Sequence, residues 1–272
     1  MDFNKVYNAD CDILMNEMLL SGMKFDLILT DPPYNLNKDL GNDSDKLSLP
    51  DFLNITRKRV ETCKGLLNNN GSLVWFGIHH YIGYIQVIMY EMGLFYRRLN
   101  IWHYENGFSR LKKAPLTQYE PFLWFSKSEK KWTYNVNDVR VPYKSTGRLK
   151  NPVYYKGSNG ERKEWLPNPK GAMRGDVWEY PTLAGKLYQK EKTEHPTQKP
   201  ESLITDLIKA FCPKNADGFY EGTILDPFHG SGTLGVCCEK LNIQGHNIKW
   251  LGIELEKKWC DIANERLHKV VR

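Results

Sequence analysis

Asp31 closes the apolar run Leu27-Ile28-Leu29-Thr30 and is followed at once by Pro32, Pro33 and Tyr34. A carboxylate delivered by such a run must find polar partners or a crevice, because an unpaired buried charge is costly. Pro32 and Pro33 have no backbone N–H, and their rings hold φ near −65°. The segment is therefore stiff, with carbonyls that point outward, and Tyr34 adds a flat face beside them. Two acceptors next to a stacking surface match an exocyclic amino group, which offers two N–H donors on a planar ring. Asp31 and the Pro32 carbonyl could hold that NH₂ while Tyr34 stacks on its ring.

A second set of residues suits a ligand of another kind. Asp226-Pro227-Phe228-His229-Gly230-Ser231-Gly232-Thr233 follows the apolar Ile224-Leu225. Gly230 and Gly232 permit a tight turn and a close approach to the main chain. The P-loop lysine is absent, as is the third glycine of GxGxxG at its spacing, so the ligand's charge is not a pyrophosphate. Glu254, 28 residues beyond Asp226, ends a further apolar run. An acid at the end of the next strand of a β-α-β unit is placed to accept hydrogen bonds from ribose hydroxyls.

The elements that must carry these residues are legible as alternation. Residues 25–30, 72–77, 121–126, 222–228 and 248–255 read as buried strands, being short and apolar throughout. Residues 51–67, 200–211 and 256–270 have helical spacing, with Pro200 at a first-turn position of the second. Asn69-Asn70-Gly71 reads as a turn ahead of the second strand. Such alternation predicts a mostly parallel sheet with helices on both faces, with ligands beyond the strands' carboxyl ends. Residues 104–118 and 139–195 lack periodicity and read as loops or an insertion at the sheet edge.

The 272 residues suit one α/β domain, or one with a sizeable insertion. No run approaches the roughly 18 apolar residues of a membrane span, and the first dozen residues do not resemble a secretory signal. The six cysteines (11, 63, 212, 237, 238 and 260) show no CxxC and no Cys/His ligand spacing. A reduced cytoplasmic protein without a metal is expected. Cys237 and Cys238 read as core packing, as do Trp75, Trp124 and Trp250, while His79-His80 reads as a surface or capping pair.

Charge is uneven. Residues 139–175 hold nine basic side chains (140, 144, 148, 150, 156, 162, 163, 170, 174) against Glu161 and Glu164. That window is +7 of a formal net charge of +6, so the rest of the chain is about neutral. It also holds Tyr143, Tyr154, Tyr155 and Trp165 with five glycines and four prolines. A solvated loop explains basic residues alone; basic and aromatic residues interleaved on an irregular frame also suit a polyanion with stackable bases.

Taken in order, these residues resemble the amino-group DNA methyltransferases that use S-adenosylmethionine. In that family a [DNS]PP[YFW] motif handles the target amine and an FxGxG loop binds the cofactor. Here they read Asp31-Pro32-Pro33-Tyr34 and Phe228-His229-Gly230-Ser231-Gly232. The catalytic motif precedes the cofactor loop, as in the family's beta group. His195-Pro196-Thr197-Gln198-Lys199-Pro200, Gly175-Asp176-Val177-Trp178 and Asn8-Ala9-Asp10-Cys11 resemble three further segments of that group.

The resemblance implies a circularly permuted, mostly parallel, seven-stranded-type α/β sheet with an irregular target-recognition insertion. The catalytic and cofactor-binding domain would be 1–103 with 196–272, and the recognition region with its connecting strands 104–195. Asp31, Pro32, Pro33 and Tyr34 would be catalytic. The implied cofactor site joins Asp10 and Cys11 to Asp226, Pro227, Phe228, Gly230, Ser231, Gly232, Thr233 and Glu254. His195, Thr197, Gln198 and Lys199 would lie near the methionine carboxylate, with Lys199 its counter-ion. Arg140, Lys144, Arg148, Lys150, Arg162, Lys163 and Arg174 would meet DNA. Asp at the first motif position resembles the N6-adenine branch rather than the N4-cytosine branch.

The implied activity is transfer of a methyl group to adenine N6 in a short site of double-stranded DNA. The implied setting is restriction–modification, with a separately encoded endonuclease as partner and a homodimer as a family tendency. The competing readings are a catalytically silent nucleic-acid-binding subunit and an RNA adenine methyltransferase. A metal-dependent nuclease built on Glu256-Lys257-Lys258 is disfavoured, because the acids upstream fit the cofactor site better.

Overall fold

A computed structural model describes residues 1–36, 45–107, 113–151, 153–185 and 188–271, with the side chain of Arg148 outside the description. The chain runs β1 (Lys5–Asn8), α1 (Cys11–Leu20), β2 (Phe25–Thr30), α2 (Leu49–Leu66), β3 (Leu67–Phe76) and α3 (Ile82–Glu91). It continues through β4 (Phe95–His103), β5 (Tyr119–Ser126), α4 (Gly147–Lys150), β6 (Val153–Lys156), β7 (Arg162–Trp165) and β8 (Val177–Glu179). It finishes with α5 (Glu201–Phe211), β9 (Glu221–Asp226), α6 (Thr233–Ile243), β10 (Asn247–Glu254) and α7 (Lys257–Val271).

Eight strands form one sheet in the order β1-β10-β9-β2-β3-β5-β4-β8, and β6 pairs with β7 as a separate hairpin. Neighbours in the large sheet pair parallel except around β5, which is antiparallel to both β3 and β4. The permuted order is visible at the left edge. There β1, from the start of the chain, pairs with β10, from near its end, in the register Lys5↔Leu251 to Asn8↔Glu254.

The apolar strands are buried on both faces, and the pleat decides which core each residue joins. Leu27, Leu29, Val74, Phe76, Phe122 and Trp124 pack with α5 and α6. Ile28, Leu73, Trp75, Leu123 and Phe125 turn the other way, toward α1, α2 and α3. All six cysteines are buried and free, Cys237 and Cys238 on α6 among them. Trp75, Trp124 and Trp250 are core residues, whereas His79 and His80 are exposed. No helix among the described residues is long and apolar enough to cross a membrane.

Four sequence expectations need correction. Asn69-Asn70-Gly71 does not precede the strand but bulges within it. Phe25 pairs with Leu67 and Leu27 with Ser72, so residues 68–71 loop out between successive pairs. Val177–Glu179 adds an eighth strand by pairing parallel with β4, and its buried Trp178 donates to the Asn100 amide oxygen at 3.2 Å. Pro200 is the N-cap of α5 rather than its first residue, with ψ of 136°. Finally, β4 went unrecognised because Arg97 and Arg98 interrupt its apolar pattern. Arg97 is accommodated by stacking 3.5 Å over the Trp132 ring and donating to Ser126 Oγ and to the carbonyls of Ser128 and Glu129.

Phe122 sits at the centre of the sheet on β5, fully buried between Phe76 and Trp178. Phe122→Ala is expected to cost about 3–5 kcal/mol, the range for a large-to-small change that leaves a cavity. Urea denaturation of the variant checks this.

Candidate active site

At the end of β2 the chain enters the Asp31-Pro32-Pro33-Tyr34 segment, with Pro32 buried and the others half-buried. Its far end is fixed by Asn35, which adopts the left-handed region at φ 58°, a conformation Asn tolerates better than most residues. The Asn35 side chain and the Leu47 backbone exchange hydrogen bonds, at 2.6 and 2.9 Å. The Asp45 carboxylate accepts from the amides of Asn35 and Leu36. The segment is thus held at both ends, by the sheet and by an aspartate clamp.

Four polar side chains converge here. Asp31 accepts from the Tyr34 hydroxyl on one oxygen and from the Lys199 ammonium on the other. The Tyr34 hydroxyl also lies 3.0 Å from Glu120 Oε2, and Lys199 Nζ lies 3.1 Å from the same oxygen and 3.2 Å from the Tyr34 hydroxyl. Burial alone would lower the Lys199 pKa, but the Asp31 and Glu120 carboxylates outweigh it and hold the ammonium above its ordinary value. Burial, and then the same two carboxylates, push the Tyr34 phenol well up. Tyr34 is therefore a neutral hydroxyl and Lys199 a cation.

The glycine loop after β9 shows two distinct uses of glycine. Gly230 has φ 50°, and its N–H donates to Glu254 Oε2 at 2.8 Å. A Cβ there would meet the His195 ring at 2.9 Å. Gly232, at φ 82°, faces α7 instead, where a Cβ would lie 2.7 Å from Ala263 Cβ. Its glycine therefore serves packing, whereas Gly230 borders the pocket. The loop is also tied to α7 by Arg266, which donates to the Ser231 carbonyl (2.7 Å), Thr233 Oγ1 (3.2 Å) and Glu201. Asp226 accepts from the Phe228 amide at 3.2 Å and lies 3.4 Å from His229 Nδ1.

Glu254, at the end of β10, accepts from the amides of Gly230 and Glu256, each at 2.8 Å. Its pKa is raised by burial, and those two amides only partly offset the shift. The β1–β10 pairing brings Asp10 beside it. Asp10 caps α1, one oxygen accepting from the amides of Asp12 and Ile13. Burial pushes the Cys11 thiol up to about 12. Arg59 of α2 pairs side-on with Asp12 (2.9 Å) and stands 5.0 Å over the Phe228 ring.

One pocket gathers most of the residues singled out in the sequence: Asp10, Cys11, Asp31, Pro32, Pro33, Tyr34, His195, Thr197, Gln198, Lys199, Asp226, Pro227, Phe228, Gly230, Ser231, Thr233 and Glu254 all line it. Within the 195–199 segment, Gln198 accepts from the Thr193 amide and hydroxyl at 2.8 Å, and His195 packs edge-on against Trp259. Lys199, expected as a counter-ion for a ligand carboxylate, lines the same pocket. In this structure its ammonium is shared by Asp31 and Glu120.

The basic window divides. Arg174 is drawn into the fold, bonded to Asp206 (2.9 Å) and the Val139 carbonyl and standing 4.5 Å over the Trp178 ring. Arg140 bonds Asn137 and the Gly171 carbonyl. Lys144, Lys150, Arg162 and Lys163 are exposed; Arg162 lies over the Tyr154 ring at 3.8 Å, and Lys163 pairs with Glu161.

Sequence reasoning missed Glu120, Arg59 and Arg266. The first carries a usable signal, a carboxylate next to Pro121 at the mouth of an apolar strand, whereas the two arginines carry none.

A family model described as DNA methylase, of the N6/N4 type, matches residues 25–265. The type II methyltransferase M.HpaI of Haemophilus parainfluenzae is 34% identical over 89% of this chain and 68% of its own length. M1.MboII of Moraxella bovis, also a type II methyltransferase, is 30% identical over 99% of this chain and 98% of its own. The crystal structure of the M1.HpyAVI–SAM complex superposes with a TM-score of 0.63 at 26% identity, covering 97% of this chain and 99% of that one.

Gly232→Ala forces an L side chain into a positive-φ conformation and against α7. A loss of about 1–3 kcal/mol is expected from backbone strain alone, with a further loss from overpacking against Ala263. Chemical denaturation of the variant measures it.

Proposed function

The chain belongs to the DNA methylase family, and we propose that it carries the methyl group of S-adenosylmethionine to the N6 amine of an adenine in a short site of double-stranded DNA. In this reading it is the modification enzyme paired with a separately encoded restriction endonuclease. One observation carries the reading: Asp31 lines the same pocket as Phe228 and Glu254. An amine-holding acid and a glycine-loop ligand site therefore share one space.

The pocket's donor set suits that cofactor. Phe228, Ile253 and Leu255 offer an apolar wall for a purine, and Glu254 offers a carboxylate for vicinal hydroxyls. Asp10, Asp31, Asp226 and Glu254 make the lining rich in acids, which favours a ligand bearing sulfonium and ammonium charges over a polyphosphate. Once bound, S-adenosylmethionine supplies a strongly electrophilic methyl group.

The protein's own part is to prepare the nucleophile. The N6 lone pair is delocalised into the purine ring, so the free amine is a poor nucleophile. Asp31 and the Pro32 carbonyl, accepting one N–H each, draw the nitrogen toward a tetrahedral shape with its lone pair facing the methyl donor. Tyr34 stacks on the extruded base, worth roughly 1–3 kcal/mol, against an unstacking cost of a few kcal/mol. Rate enhancement then comes from positioning and electrostatics rather than a covalent enzyme intermediate. The 104–195 region serves target recognition, with exposed Lys144, Lys150, Arg162 and Lys163 meeting phosphates, while Arg140 and Arg174 set the shape of the loop. Asp rather than Ser at position 31 supports adenine N6 over cytosine N4.

Two outcomes test the reading. Asp31→Ala is expected to lose transfer of tritiated methyl to unmodified DNA while keeping the cofactor dissociation constant within about tenfold, roughly 1.4 kcal/mol; normal turnover would refute the assigned role. The second concerns pH. Ribose hydroxyls donate to the ionised Glu254, so binding the cofactor releases the proton that burial helps it retain. Affinity should climb as pH rises from the ordinary glutamate value of 4.5 through the raised one, then level off. Calorimetry should find this slope absent in Glu254→Gln.

A further inference from the structure

Methylation of an amine leaves one proton to dispose of, and the cluster around Lys199 is built to take it. Asp31 and Glu120 carry two negative charges against a single ammonium, so the group as a whole is one charge short of neutral. Lys199 uses its three hydrogens on Asp31, Glu120 and the Tyr34 oxygen. The Tyr34 hydroxyl stands within hydrogen-bond reach of both carboxylates yet has one hydrogen to give. It can donate to one of them, and accept from the other only when that acid is protonated. Such an arrangement passes a proton from one carboxylate to the other through the hydroxyl, without either acid moving.

We propose that Tyr34 and Glu120 form the exit route for the proton that the target amine loses: it reaches Asp31, crosses through the Tyr34 O–H to Glu120, and leaves for solvent from there. This rests on the N6-amine reading above. The steps balance. The N–C bond forms as the C–S bond breaks with its electron pair going to sulfur. The N–H bond then leaves its pair on nitrogen and its proton on Asp31. Asp31 hands that proton to the Tyr34 oxygen while Tyr34 hands its own to Glu120. The cluster's excess negative charge faces the sulfonium before transfer and is neutralised by the proton after it.

Exposure indicates why a relay is needed. The side chains of Asp31 and Glu120 are similarly open, at 22% and 24%, while Lys199 is at 6%. Asp31, however, opens into the pocket that cofactor and base fill, whereas Glu120 is not part of that pocket's lining. In the reacting state Glu120 is thus the carboxylate that keeps a face outside the pocket. Glu120 enters through β5, whose antiparallel direction puts its first residues at the carboxyl edge of β3: the Gly77 amide donates to the Pro121 carbonyl at 3.0 Å.

The groups facing Glu120 are Asp31 and Tyr34 from the loop after β2, Lys199 from the segment before α5, and Tyr104 just beyond β4. Tyr104 is pushed up to about 12 by burial and then by Glu120, and Tyr34 and Lys199 are also raised.

Two measurements test the relay. Nucleoside mass spectrometry first establishes N6-methyladenine as the wild-type product. Single-turnover transfer is then compared in Tyr34→Phe, which keeps the stacking ring, in Glu120→Gln, and in the double variant. Each single change should slow transfer by roughly 10²-fold, the low end of a proton-transfer contribution, with cofactor affinity little changed. The double variant should be no slower than the worse single, since both break one route. A wild-type rate in either single variant would overturn the relay while leaving the product intact. Absence of N6-methyladenine from the wild-type product would overturn the function reading, and the relay with it.

Discussion

A buried ammonium shared by two carboxylates ties the site together. Lys199 joins the segment before α5 to the end of β2 and the start of β5, three pieces of chain that are distant in sequence. In a poorly hydrated setting such a charge persists only while its partners do, and removing one partner of a buried pair costs about 3–5 kcal/mol. The lysine thus makes the position of Asp31 depend on the correct closure of the whole sheet. A side chain that would otherwise swing on a loop is held by the fold's own electrostatics.

The second constraint is the permuted strand order. Pairing β1 with β10 in parallel places Asp10 next to Glu254, although the two stand at opposite ends of the sequence. The glycine loop lies beside them, and Gly230 gives its amide to Glu254 rather than leaving it to solvent. Arg59 and Arg266 then bind α2 and α7 to this edge through Asp12 and Ser231. The same edge holds the Asp31 cluster, so the glycine loop and Asp31 line one pocket at this margin of the sheet.

The basic window shows how charge in a sequence can mislead about surface. Seven net positive charges over 139–175 suit a solvated loop or a polyanion-binding stretch, exposed in either case. The structure uses Arg174 and Arg140 to fasten that stretch to the body, through Asp206 and through the carbonyls of Val139 and Gly171. Guanidinium groups are suited to this, since a planar fork can satisfy several acceptors and lie over an aromatic ring at once. The lysines, which hold a compact charge on a flexible stem, stay outside.

Much of the fold was readable because burial on both faces leaves continuous apolar runs, and β2, β3, β5, β9 and β10 all carry that mark. Asp31 and Glu254 were readable for a related reason, since an acid at the end of such a run has to face a crevice. β4 was not, because Arg97 and Arg98 break its apolar pattern, and Arg97 is accommodated by stacking on Trp132 and by acceptors at and just past the end of β5 that only the assembled sheet supplies. The bulge at 68–71 was hidden too, as the residues that form it are those of an ordinary turn. Glu120 marks the boundary most clearly. Whether an acid at the start of a strand lies near the site or at the opposite edge depends on the strand's direction. That direction is set by pairing across the sheet: the local chain determines that β5 is a buried strand, and only tertiary hydrogen bonding to β3 and β4 decided that it runs antiparallel and brings Glu120 to Asp31.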